Sequence, residues 1–144
     1  MKNILIIGHL LFVSVLVAQE WQPSYAEAVS AAKEQYKPVL LVFAGSDWCA
    51  PCIKLDKNIW QSDVFRSYAK ENYVLYKADF PRKKTNRLPE AVAEQNSALA
   101  EKYNPNGHFP LVLLLDNNGH ILGETGYLKS TPEAYIERLN SFVK

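Results

Sequence analysis

Only two of the 144 residues are cysteine and only three are histidine, and that scarcity removes several classes of protein. A framework of several disulfides cannot be built from one pair. A structural zinc site needs four ligands, usually from two cysteine pairs or a Cys/His mix, and His108 and His120 have no ligand spacing to each other. Neither sign of charge is in excess: sixteen Lys and Arg stand against fifteen Asp and Glu, so no electrostatic case for nucleic acid exists. The cluster Arg82-Lys83-Lys84 is short and reads as a solvated loop. There is no internal repeat and no low-complexity tract. Long apolar runs are scarce too, and the longest, Ile4 to Val17, falls short of the roughly 20 residues that span a bilayer.

That run has a different meaning. Lys2 supplies a small positive start, Leu16-Val17-Ala18 offers a small residue before a cleavage point, and Gln19-Glu20-Trp21-Gln22-Pro23 ends the apolar stretch. Residues 1–18 therefore read as a cleaved secretory signal, with an uncleaved N-terminal anchor as the alternative. The remainder, residues 21–144, suits one domain with a single core.

Both cysteines lie in one pentapeptide, Trp48-Cys49-Ala50-Pro51-Cys52. At this spacing on a helix start they share one face, near enough to join as a disulfide or separate as two thiols. Unpaired N–H groups and the positive end of the helix dipole favour a thiolate at the first. The expectation is an exposed nucleophilic sulfur at Cys49 and a shielded resolving sulfur at Cys52. In an exported protein a lone pair is often structural, but a bridge across two residues restricts the unfolded chain little. A domain of this size has core enough without it. Redox chemistry is the better reading.

Hydrophobic spacing organises the rest. Ser24 to Tyr36 carries helical spacing at Tyr25, Ala28, Val29, Ala32 and Tyr36, with Ser24 as N-cap. Val39 to Ala44 is a strand buried on both faces. A helix from Cys49 continues an apolar face through Ile53, Leu55, Ile59 and Trp60, and Ser62 caps a fresh stretch from Val64 to Glu71. Trp60, Phe65 and Tyr68 fall at core spacing. Tyr73 to Asp79 is a strand, Phe80 to Leu88 a polar basic connector read as a surface insertion, and Pro89 to Tyr103 a helix using Ala91, Val92, Leu99 and Ala100. Pro110 to Leu115 and His120 to Gly126 form a hairpin around Asn117-Asn118-Gly119, and Ser130-Thr131-Pro132-Glu133 opens a last helix to about Phe142. Asp47 reads as a turn residue and His108 as a solvated loop histidine. Long crossovers imply parallel strands in the first half, and the short turn implies an antiparallel pair at the end.

This order, with Trp48-Cys49-Ala50-Pro51-Cys52 at the first strand-to-helix junction, Phe109-Pro110 opening the third strand and Gly126 ending the last, resembles the thioredoxin superfamily over residues 21–144. The stretch from Gly45 to Asp56 is similar to exported bacterial thioredoxin-like proteins and to the periplasmic C-terminal domain of a membrane-embedded thiol reductase. The resemblance implies an α/β, thioredoxin-like fold, a mixed central β-sheet with helices on both faces. It also implies an exported, periplasmic thiol–disulfide oxidoreductase, with Cys49 and Cys52 catalytic and Trp48, Ala50 and Pro51 shaping the substrate surface. A cis-Pro110 would leave the backbone of Phe109 free to pair with substrate. The redox-active disulfide would need no organic cofactor and no metal. Partners would be protein disulfides and an upstream thiol electron donor, for which a membrane-embedded reductase is one candidate, acting on a monomer. Ala50-Pro51 is closer to thioredoxin's Gly-Pro than to the dipeptides of strong oxidants, which favours reduction. An oxidase or isomerase using the same pair, or a binding module with an inert disulfide, are the alternatives. One departure stands out: cytoplasmic thioredoxins keep a buried Asp six residues before the nucleophile, where this chain has Phe43. Lys77 on the adjacent strand is the nearest substitute for proton handling.

Overall fold

A computed structural model describes residues 21–144; the signal expected over residues 1–18 lies outside the described residues. Helix α1 (Tyr25–Gln35) leads into strand β1 (Val39–Ala44), then helix α2 (Ala50–Leu55), which runs on as a wider π-helical turn (Asp56–Trp60). Helix α3 (Asp63–Asn72), strand β2 (Val74–Asp79), helix α4 (Glu90–Tyr103), strands β3 (Leu111–Leu115) and β4 (Ile121–Thr125) and helix α5 (Pro132–Asn140) follow. The sheet order is β2-β1-β3-β4. Strand β1 pairs in parallel with β2, Leu41 opposite Tyr76, and antiparallel with β3, Leu41 opposite Leu113. β3 and β4 are antiparallel, as the hairpin turn requires.

All six residues of β1 are buried, because helices cover both faces of the sheet. Alternation along the strand divides the core in two. Leu40, Val42 and Ala44 face Cys49, Cys52, Leu55, Ile59, Trp60, Phe65, Tyr135 and Leu139 on α2, its π turn, α3 and α5. Val39, Leu41 and Phe43 face Ala28 and Ala32 of α1 and Leu99 of α4. Ahead of α1, Trp21 bridges to Leu75 and adds a short parallel contact to the free side of β2.

The caps form where the sequence places them. Ser24, Ser62 and Thr131 each accept a backbone N–H from three residues on, at 3.2 Å. Three expectations need correction. Tyr36 does not face inward: it takes the left-handed C-cap conformation, φ 55°, and is 88% exposed. Ile53 is also exposed, since only Leu55, Ile59 and Trp60 of that run reach the core. On α4, Ala91 is exposed while Asn96 is buried, because its side chain accepts from the Tyr76 hydroxyl (2.6 Å) and donates to the Asp79 carbonyl (3.1 Å). The chain does restart at Ser62, which caps α3, and the helix before it ends in the π turn. The Gln61 N–H reaches back to the Asp56 carbonyl (3.0 Å), widening the turn and bringing Ile59 and Trp60 inward together.

Candidate functional site

At the C-terminal end of β1 the chain turns through Gly45-Ser46-Asp47 to Trp48. The Trp48 indole lies so close to Gly45 that a Cβ there would sit 2.2 Å from the ring, so only glycine fits. Cys49 follows as the N-cap of α2, in extended conformation, and its Sγ accepts the Cys52 N–H at 3.3 Å. Pro51 is in the first turn, where no intrahelical N–H bond is lost. Cys49 and Cys52 are joined as a disulfide, with Cα atoms 5.2 Å apart.

The expected contrast in exposure between the two sulfurs is absent in this oxidised state. Cys49 and Cys52 are each 4% exposed, because both pack into the core layer under α2 together with Leu55, Trp60 and Val112. What separates them is position. Cys49 caps the helix start and its sulfur already accepts a helix N–H, the arrangement that stabilises a thiolate. Cys52 lies inside the helix and lines a cavity of about 350 Å³ that also holds Asp56, Lys77 and Pro110.

Pro110 follows a cis peptide bond from Phe109. The end of β4 comes close to it: a Cβ at Gly126 would meet the Pro110 carbonyl at 3.2 Å. The Tyr135 hydroxyl donates to the Gly126 carbonyl (2.8 Å), and burial pushes that phenol's pKa up. Phe109 packs edge-on against Trp48 (5.4 Å between ring centroids) and against Phe80 (5.5 Å). Trp48, Phe109 and Pro110 are thus brought to the disulfide, while Ala50 and Pro51 are exposed beside it. His108 stays exposed, its backbone held by the Asn104 side chain.

The missing carboxylate has a different geometry from the one read in the sequence. Phe43 does not lie beneath the cysteines at all; it points to the opposite layer, against α1 and α4. The β1 residues that line the Cys52 cavity are Val42 and Ala44, on either side of Phe43. Lys77 reaches this cavity but does not stand alone, for its ammonium is 2.7 Å from Asp56 Oδ1 and lies over the Trp21 ring, 4.7 Å from its centroid. An ammonium cannot accept a proton. The carboxylate at this site is Asp56, one helical turn beyond Cys52, a spacing visible in the sequence.

Asp47 is the turn residue expected, and it also holds the connector. The Asp47 carboxylate accepts the backbone N–H groups of Arg82 and Lys83 (both 2.9 Å) and the Asn86 amide (3.0 Å). The Arg82 N–H foremost, then the Asn86 side chain, holds its carboxyl below the usual carboxylate range. Trp48 Nε1 donates to the Phe80 carbonyl (2.7 Å), and the Arg82 guanidinium stacks 3.8 Å from the centroid of the Trp48 ring. Residues 80–88 are therefore fastened to the cysteine loop.

The family model described as "Thioredoxin-like" matches residues 20–117. The chain is 36% identical over 125 residues to "Disulfide bond reductase DsbH" of Chlamydia pneumoniae, covering 87% of this chain and 73% of that protein. It is 31% identical over 97 residues to "Thioredoxin-related protein DsbJ" of the same organism, covering 67% of this chain but 27% of that longer protein. A solved structure described as "DsbH Oxidoreductase" superposes with a TM-score of 0.80 at 35% identity, covering 86% of this chain and 83% of that one. The C-terminal domain of Neisseria meningitidis DsbD shares the fold, with a TM-score of 0.52 at 22% identity over 81% of this chain and 90% of that one. A cysteine pair bridged at a helix start, beside a cis-proline and on a fold this close to such relatives, makes the chain a thiol–disulfide oxidoreductase, and it belongs to the thioredoxin-like family.

Proposed function

We propose that the protein reduces protein disulfides outside the cytoplasm. The observation that carries the direction is the dipeptide Ala50-Pro51: it places no histidine and no cation between the sulfurs, so the reduced pair lacks the stabilisation that makes a strong oxidant. The 36% identity to a protein named a disulfide bond reductase supports the same direction. The run from Lys2 to Ala18 supports export as a cleaved signal and, with it, a periplasmic site of action.

The exchange needs two sulfurs and two electrons. The Cys49 thiolate attacks one sulfur of the substrate disulfide, expels the other as a thiolate that takes up a proton, and remains bound as a mixed disulfide. Cys52 then loses its proton and attacks Cys49 Sγ, releasing the second substrate thiol and leaving the 49–52 bridge. An upstream thiol donor returns the two electrons. The Phe109 backbone pairs with an extended substrate segment, and Trp48 with Ala50 and Pro51 forms the surface it meets. No organic cofactor or metal takes part in these steps, and the protein works as a monomer.

Equilibration with glutathione tests the direction. In a buffer at endoplasmic-reticulum poise, about −180 to −210 mV, a pair near thioredoxin's value of about −270 mV is largely oxidised. We expect that result here. A pair that stays largely reduced would be an oxidant, and the assignment would fail.

Proton handling falls to Asp56, with Lys77 holding its carboxylate in place. Both line the cavity that Cys52 faces, which has room for water to carry the proton. Asp56→Asn is expected to slow the resolving step by roughly a hundredfold, the lower end of what a positioned acid–base group contributes. Attack by Cys49 would be spared, so stopped-flow assays should show the mixed disulfide persisting at neutral pH. Asp56→Glu should restore most of the rate. Equal resolving rates in the wild type and Asp56→Asn would remove Asp56 from the mechanism.

A further inference from the structure

The connector between β2 and α4 holds Arg82, Lys83, Lys84 and Arg87, a quarter of the chain's sixteen cationic residues, and no acidic residue lies between Phe80 and Leu88. All four are exposed. Among the described residues the salt bridges are Lys77–Asp56 and His120–Asp116, so none of these four has a carboxylate partner. Two of the nearby acids, Asp47 and Asp79, are already engaged. Asp47 takes up the main chain at Arg82 and Lys83, and Asp79 accepts from the Ser46 N–H (2.9 Å) and hydroxyl (2.5 Å). Elsewhere twelve Lys and Arg stand against fifteen Asp and Glu, so this is a local excess. Its location gives it meaning: Arg82 lies on the indole of Trp48, the residue next to Cys49, and the connector is hydrogen-bonded to the same loop.

We propose that this basic rim is a substrate-reading surface, and that the disulfides preferred by this protein are flanked by acidic residues. The inference rests on the disulfide-exchange reading above and adds to it the chemistry of the substrate. A segment laid across Trp48 and the Phe109 backbone carries its flanking side chains over Arg82 and its neighbours. A recess of about 260 Å³ between the connector and α4, lined by Arg82, Lys83, Lys84, Arg87 and by Asp79, whose carboxylate is already taken up by Ser46, gives a substrate carboxylate a place to reach. Charge of this kind acts on encounter rate and therefore on kcat/KM.

The test compares three disulfide-linked peptide pairs, identical except for acidic, neutral or basic residues flanking the cysteines, as substrates of the purified protein. At low ionic strength the acidic pair should be reduced with a kcat/KM roughly tenfold or more above the basic pair. The preference should shrink towards one in 1 M salt, where the screening length is about 3 Å. Lys83→Gln/Lys84→Gln/Arg87→Gln should collapse the ratio at low salt, and the corresponding Lys→Arg changes should keep it. The connector's fastening does not depend on these side chains, because Asp47 binds main-chain N–H groups and Asn86. The salt titration of the wild type reads the same preference without any variant. If the neutral pair is reduced but no charge preference exists, the rim proposal fails and the exchange function stands. If no pair is reduced, the function itself is wrong. Salt-sensitive sedimentation with phosphatidylglycerol vesicles, lost in the triple variant and accompanied by no peptide preference, would assign the rim to a membrane surface and overturn the proposal.

Discussion

Cys52→Ser is expected to convert a turnover catalyst into a trap. Cys49 keeps its place as the N-cap of α2 and still attacks a substrate disulfide, but nothing then displaces the mixed disulfide. Non-reducing gels of the exported fraction should show this variant in covalent adducts, and insulin reduction should fall to the uncatalysed rate. Cys49→Ser should abolish both turnover and adducts, because a serine hydroxyl is no nucleophile towards sulfur at neutral pH. The two variants together separate attack from resolution. Adducts formed through Cys52 in the Cys49→Ser protein, and none through Cys49, would reverse the roles. The assignment is exposed to that result, since the two residues are equally buried in the bridged form and are told apart by their places on the helix and by which of them lines the cavity.

The largest stability effect is expected at Trp60. It is 3% exposed and packs against Phe65 (4.7 Å between ring centroids), Tyr135 (5.3 Å) and Trp21 (6.2 Å), joining the π turn, α3, α5 and the first described residues. Truncating a buried aromatic of this size leaves a cavity and costs about 3–5 kcal/mol. Folding stabilities of domains are about 5–15 kcal/mol, so Trp60→Ala should move the urea midpoint far down with little change in slope. A loss below about 1 kcal/mol would mean that the site collapses around the gap. Because Cys52 and Trp60 line the same cavity, the variant should also alter exchange kinetics under conditions where it remains folded.

Elements set by local chemistry were legible in the sequence. Ser24, Ser62 and Thr131 announce their caps, and the unbroken apolar run of β1 announces a strand covered on both sides. Features set by tertiary partners were not. Asn96 is buried because Tyr76 and the Asp79 carbonyl satisfy it, and both partners lie on a strand some twenty residues away. Counting six residues back from Cys49 lands on Phe43, yet strand alternation sends Phe43 to the far layer and gives its neighbours Val42 and Ala44 the places beside the cysteines. The Asp56 carboxylate could have been suspected from its spacing to Cys52, but its pairing with Lys77 depends on how the π turn sets α2 against β2. The 80–88 connector looked like an insertion because its attachments are to Asp47 and Trp48, more than thirty positions earlier.

The way that connector is attached has a consequence for how such proteins diverge. Asp47 grips it largely by the peptide N–H groups at positions 82 and 83, which every residue except proline supplies. Side chains at 83, 84 and 87 can therefore drift in charge or size while the loop keeps its course beside the cysteines. One scaffold and one chemistry could serve a succession of client repertoires, with selection acting on a handful of codons outside the core. Exchanging those side chains between related proteins, with the Asp47 grip retained, offers a route to redirecting which disulfides are opened.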